Sequence, residues 1–77
     1  MNKATYKGYE ITAIPHQLAD GKWDINLMIR KEGGMKFTNF TADPTFNTRE
    51  EAIQECFNFG RQIIETKIQD GSIGNLE

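Results

Sequence analysis

The chain has 77 residues, a net charge of -2, one histidine and one cysteine. A chain this short is one domain, residues 1–77, with a marginal core, since about 60% of its unfolded surface is all it can bury. A lone Cys56 excludes an intramolecular disulfide and a cysteine-based zinc site. No apolar run approaches the ~18 residues that a membrane span needs, and the negative balance works against simple electrostatic binding of nucleic acid.

The charge is unevenly spread. Residues 1–41 carry six cations and four acids, whereas residues 42–77 carry three cations and seven acids. An acidic, solvated helix face beside a near-neutral sheet accounts for this.

In chain order, residues 1–4 read as frayed, and the polar opening MNKATYKGYE has no apolar stretch of the kind a signal peptide requires. With the free cysteine, that gives the expectation of a cytoplasmic protein. Tyr6 to Ile14 reads as a first strand ended by Pro15, with Gly8 marking a bulge. Tyr9, Ile11 and Ala13 are expected to face inward, with Tyr6, Glu10, Thr12 and Ile14 outward. Pro15 to Gly21 is a loop closed by the Asp20-Gly21 turn signal. Lys22 to Lys31 alternates Trp23, Ile25, Leu27 and Ile29 with Asp24, Asn26, Met28 and Arg30, the pattern of a strand with one buried and one wet face. Glu32-Gly33-Gly34 is a hairpin turn. Met35 to Ala42 is a third strand, with Phe37 and Phe40 on opposite faces unless a bulge intervenes. Asp43-Pro44-Thr45 is expected to break the sheet, because Pro44 has no N–H to give a ladder.

Phe46 to Gly71 is the best-punctuated stretch. Thr48 and Glu51 form a T-x-x-E capping box, and Glu50 and Glu51 place negative charge at the positive end of the helix dipole. Ile53, Cys56, Phe57, Gly60, Ile64 and Ile68 recur at helical spacing. Ala52, Phe59 and Ile63 widen that stripe along one edge. Gly71 supplies a left-handed stop. Ser72 to Glu77 is a short polar tail, and Leu76-Glu77 matches a dipeptide that often precedes a purification tag. The expected fold class is α+β: a three-stranded antiparallel meander followed by one long C-terminal helix packed on one face (β-β-β-α).

No constellation for chemistry emerges, and neither a cofactor nor a metal is expected. His16 stands alone in a loop. Pairing it with Cys56 would need a reactive thiol, but Cys56 lies in the apolar stripe, where thiols are inert. Glu10, Asp20 and Asp24 do not have calcium-loop spacing. Gly33-Gly34 has neither the context nor the lysine of a phosphate loop. The expectation is a non-enzymatic protein.

A three-stranded sheet under one helix leaves its second face open. On this reading that face carries Tyr6, Met28, Arg30 and one of Phe37 and Phe40, while Phe59 marks an uncovered helix edge. These residues are the candidate interface. Exposed apolar patches on small domains favour association, so a homodimer or a small protein partner is expected. Single-stranded nucleic acid stacked on the open face is the less favoured alternative, and the chain has no feature of a membrane protein.

The landmarks Tyr6-x-Gly8-x-x-Ile11, Asp20-Gly21-x-Trp23 and Phe46-x-Thr48-x-x-Glu51-Ala52 span nearly the whole chain. In their order the chain resembles small uncharacterised bacterial domains of strand–strand–strand–helix type, whose members are hypothetical proteins. The resemblance implies a fold, with no activity attached. The layout and the F-x-T-x-E-E-A helix start at Phe46 are also similar to HicB-type antitoxins. That likeness implies binding of a small toxin, although this helix is longer and the 77 residues hold no separate DNA-binding segment. The sheet followed by a long helix is similar, too, to single-stranded-DNA-binding modules of the whirly type, which have more sheet and more basic charge.

Overall fold

The computed structural model describes residues 2–71. Met1 and the tail expected to fray at 72–77, with its Leu76-Glu77 dipeptide, lie outside the described residues. The elements are β1 (Lys3–Tyr6), β2 (Tyr9–Ala13), β3 (Trp23–Lys31), β4 (Phe37–Phe46) and α1 (Arg49–Asp70). The strands form one antiparallel sheet in the order β1-β2-β3-β4, and α1 lies across one face of it. The class is therefore α+β with a C-terminal helix, but the sheet has four strands where three were expected.

The extra strand comes from the start of the chain. Lys7 and Gly8 have φ values of 49° and 85°, and Tyr6 pairs directly with Tyr9. Positive φ at both central residues is the signature of a type I′ hairpin turn, whose twist matches that of the strands it joins. Gly8 thus reverses the chain; it does not bulge a single strand. Lys3, inside the segment expected to fray, pairs with Thr12.

The reversal also moves Tyr6. Counted along one continuous strand, Tyr6 falls on the opposite face from Tyr9. Folded back across a two-residue turn, it sits opposite Tyr9 and shares its face, because directly paired residues point the same way.

The periodicity of β2 and β3 is reproduced. Tyr9, Ile11, Ala13, Ile25, Leu27 and Ile29 are buried against Ile53, Cys56, Phe57 and Ile64 of α1. Each such large side chain removed from water contributes about 1.5–3 kcal/mol before entropy is counted. Trp23, at the start of β3, is only half-buried and pairs with Phe46.

β4 runs on through Asp43-Pro44-Thr45 to Phe46, where a break was expected. Ile25 pairs with Ala42 but Trp23 pairs with Phe46, so the ladder shifts register between them. Pro44 lies in that irregular stretch of an edge strand, a position where a missing N–H is tolerated. No shift separates Phe37 from Phe40, so they do face opposite ways: Phe37 pairs with Arg30 and Phe40 with Leu27.

Helix α1 begins and ends at the expected signals. The Glu51 N–H donates to Thr48 Oγ1 at 3.2 Å. A full capping box would have the Glu51 carboxylate accept from the Thr48 backbone N–H; here it accepts from the Thr48 hydroxyl at 3.1 Å. Gly71 takes the left-handed conformation at φ 78° and its N–H turns back to the last carbonyls. Ala52, Ile53, Cys56, Phe57, Gly60 and Ile64 are buried, whereas Ile68 is 42% exposed. None of the described helices is long and apolar enough to cross a membrane.

Candidate interaction surface

The six candidate interface residues divide between the two faces of the sheet. Met28, Arg30 and Phe37 stand on the face away from the helix. Tyr6, Phe40 and Phe59 are on the helix side, all partly buried against the core.

On the open face the two terminal nitrogens of Arg30 are engaged, while its buried Nε has no hydrogen-bond partner. Its guanidinium donates to Glu10 Oε1 at 3.2 Å and to the Gly34 carbonyl at 2.9 Å. It also lies 5.4 Å from the centre of the Phe37 ring. Arg30 therefore ties β2, β3 and the following turn together and covers one side of the aromatic ring. Beside it, Asn39 Nδ2 donates to Asn26 Oδ1 at 2.9 Å and to the Leu27 carbonyl at 3.1 Å.

His16 reaches the same polar band. Its ring Nδ1 is 3.0 Å from Asn26 Nδ2 and 3.8 Å from Asp24 Oδ2, and its backbone N–H donates to Asp24 Oδ1 at 2.6 Å. These contacts fasten the 14–22 loop to β3. Cys56 is on the other side of the sheet, buried under the helix, with its thiol donating to the Asn26 backbone carbonyl at 3.4 Å. Burial pushes the Cys56 thiol pKa up, against a smaller opposing effect of that hydrogen bond. The strand thus separates His16 from the one sulfur it could have activated. The described residues hold no group of three or more His, Cys, Asp or Glu side chains able to bind a metal ion.

On the helix side, Tyr6 is held at the first hairpin. Its hydroxyl donates to Glu65 Oε1 at 3.2 Å, and Lys7 Nζ pairs with the same oxygen at 2.5 Å. The hydrogen bond and charge of Lys7 lower the Glu65 pKa, and Glu65 in turn raises that of Lys7.

Phe40 and Phe59 meet at the opposite margin. With Ile63, Lys67 and Asp70 they line a groove of about 340 Å³ between α1 and β4. β4 is an edge of the sheet, and among the described residues no strand pairs with its outer side. From Phe37 to Ala42 the edge reads FTNFTA, without charge, glycine or proline. Native edges are commonly blunted by shortness or by lysine. The other edge, β1, has both devices: it is four residues long and carries exposed Lys3. β4 has neither along those six positions. Sequence reading singled out Phe40, Phe59 and Ile63 but did not join them. The signal available for the edge itself was the uncharged interval between Lys36 and Asp43.

The fold and surface define a small α+β domain with one covered sheet face, one polar face and one unprotected edge beside an apolar groove. The chain belongs to the family of a domain of unknown function, DUF6566, whose match covers residues 1–75. Among curated proteins and among solved structures, nothing matches this chain.

Proposed function

We propose that this chain is a non-enzymatic protein-interaction domain that binds through its β4 margin, the edge Phe37–Ala42 together with the Phe40–Phe59–Ile63 groove. The observation that carries this reading is an unblunted edge strand lying directly beside a half-buried apolar groove. Main-chain pairing at an edge supplies affinity and adjacent pockets supply specificity. The burial of Cys56 behind the strand from His16 supports a role without catalysis. A free buried thiol suits a reducing compartment, which supports the cytoplasm as its location. The landmarks shared with HicB-type antitoxins, and with strand–strand–strand–helix domains of bacteria, would make a small toxin one form of partner.

The open face is a poor platform for single-stranded nucleic acid. Arg30 already satisfies Glu10 and Gly34, and Phe37 is covered on one side by that guanidinium. A base on that side of the ring would have to displace the guanidinium.

The test uses a photo-crosslinking amino acid in the full chain, placed at Lys67 on the groove or at Gln69 on the outer side of the helix. The expected result is discrete adducts from position 67, absent from position 69 and abolished by Asn39→Lys. Equal labelling from both positions, or none from position 67, would overturn the reading.

A further inference from the structure

Resting on that reading, we propose that the occupant of the β4 margin is a second copy of the chain. Two copies pair β4 to β4, antiparallel, about a two-fold axis normal to the sheet at Asn39, and extend the four-stranded sheet to twice its width.

Residues directly opposite one another in an antiparallel pair share a face. A two-fold along the sheet normal preserves faces, so both helices stand on the same side. The axis must also pass through a residue, because each position has to meet one of its own parity.

The sequence selects Asn39 as that residue. Centred there, Thr38 meets Phe40 on the helix side and Phe37 meets Thr41 on the open side. Every aromatic faces a β-branched residue, a favourable cross-strand combination. Lys36 falls opposite Ala42, one residue from Asp43, so each end of the paired segment carries one cation and one anion, on opposite faces of the sheet. Centring on Phe40 would instead set Phe37 against Asp43 and Lys36 against Pro44, inside the irregular stretch where β4 departs from its register with β3.

The groove argues for a whole copy over an isolated peptide. Phe40 of each copy points to the helix side at the seam, opposite the other copy's Thr38, so the apolar rims of the two grooves meet there. A single added strand would pair with the edge but bring no second groove rim to it. An isologous contact of this kind is the commonest form of oligomer. It also enlarges a core that a chain of this size can barely assemble alone.

The experiment is sedimentation velocity of the purified full chain from low to high micromolar concentration, with Asn39→Lys alongside. Circular dichroism checks that the variant is folded. The expected result is a monomer–dimer equilibrium for the wild type. In the variant two lysines face each other on the axis, so the dissociation constant should rise at least about tenfold. Amide hydrogen exchange of the unmodified chain gives a second readout: protection should rise with concentration at Phe37–Ala42 and stay constant in β1. A wild-type monomer throughout, a dimer indifferent to Asn39→Lys, or protection arising elsewhere overturns the proposal. A monomer that still gives groove-specific adducts with another protein overturns the second copy and leaves the interaction reading standing. A monomer without such adducts overturns both.

Discussion

Gly60 of α1 packs so closely on Ile11 of β2 that a Cβ on Gly60 would sit 2.9 Å from both Cδ1 and Cγ2 of Ile11. This contact sets the height of the helix over the sheet. Ile11 is fully buried and β-branched, so it has little freedom to move aside.

Gly60→Ala therefore opposes two effects. Alanine gains about 1 kcal/mol of helix propensity, whereas overpacking a tight core costs about 1–3 kcal/mol. With Ile11 immobile the cost is expected near the upper end, a net loss of about 1–2 kcal/mol. In a domain of this size, thermal denaturation should show a midpoint lower by about 4–8 °C for each kcal/mol lost. Adding Ile11→Val, which removes the crowded Cδ1, should recover part of that loss and show up as coupling in a double-mutant cycle.

At the first hairpin, Gly8→Ala should cost about 1–2 kcal/mol, the penalty of placing a Cβ in the left-handed region. A Cβ added there would meet nothing within 4 Å beyond its chain neighbours, so the loss is backbone strain alone. Gly8→Asn should be milder, because asparagine visits that region more readily. Urea melts of the two variants check the order, and equal losses would rule out this explanation.

The Lys7–Glu65 pair fixes a pH window. The Glu65 pKa is lowered in the fold, so its contribution is present above its unfolded value and is lost as pH falls through the folded one. The Lys7 pKa is raised above 10.5, so its contribution is present below the unfolded value and is lost as pH rises through the folded one. The stability difference between wild type and Glu65→Gln should accordingly be largest at neutral pH and shrink toward both extremes. Both side chains are well exposed, so salt should weaken it. Denaturant melts across pH measure this.

Arg30 and Glu10 should be coupled by about 1 kcal/mol, the upper end of the range for surface pairs, because their side chains are only 27% and 19% exposed. A double-mutant cycle with Arg30→Met and Glu10→Gln measures it. Released from the guanidinium, the Phe37 ring should also change its chemical shifts in Arg30→Met while the core resonances stay put.

Much of the fold was legible in local pattern. The alternation of Trp23 to Ile29, the Thr48–Glu51 cap and the Gly71 stop each rest on interactions within a few residues. Tyr6-Lys7-Gly8-Tyr9 was harder, because a lysine–glycine pair is a weaker turn signal than asparagine–glycine and the apolar residues run on through it. Pro44 misled for a related reason. Its missing N–H matters only where a neighbouring strand asks for a donor, and whether one does depends on which strand forms the edge.

The sequence by itself determined that there would be one long capped helix and a strand with a single apolar face. Those properties follow from spacing along the chain. Only the tertiary structure decided that Tyr6 belongs with the helix, that Arg30 is held by Glu10 and Gly34, and that Phe40 and Phe59 meet beside an open strand edge. Each of these depends on strand order and register, which bring together residues far apart in sequence, and a one-residue or one-turn difference in that pairing sends a side chain to the other face.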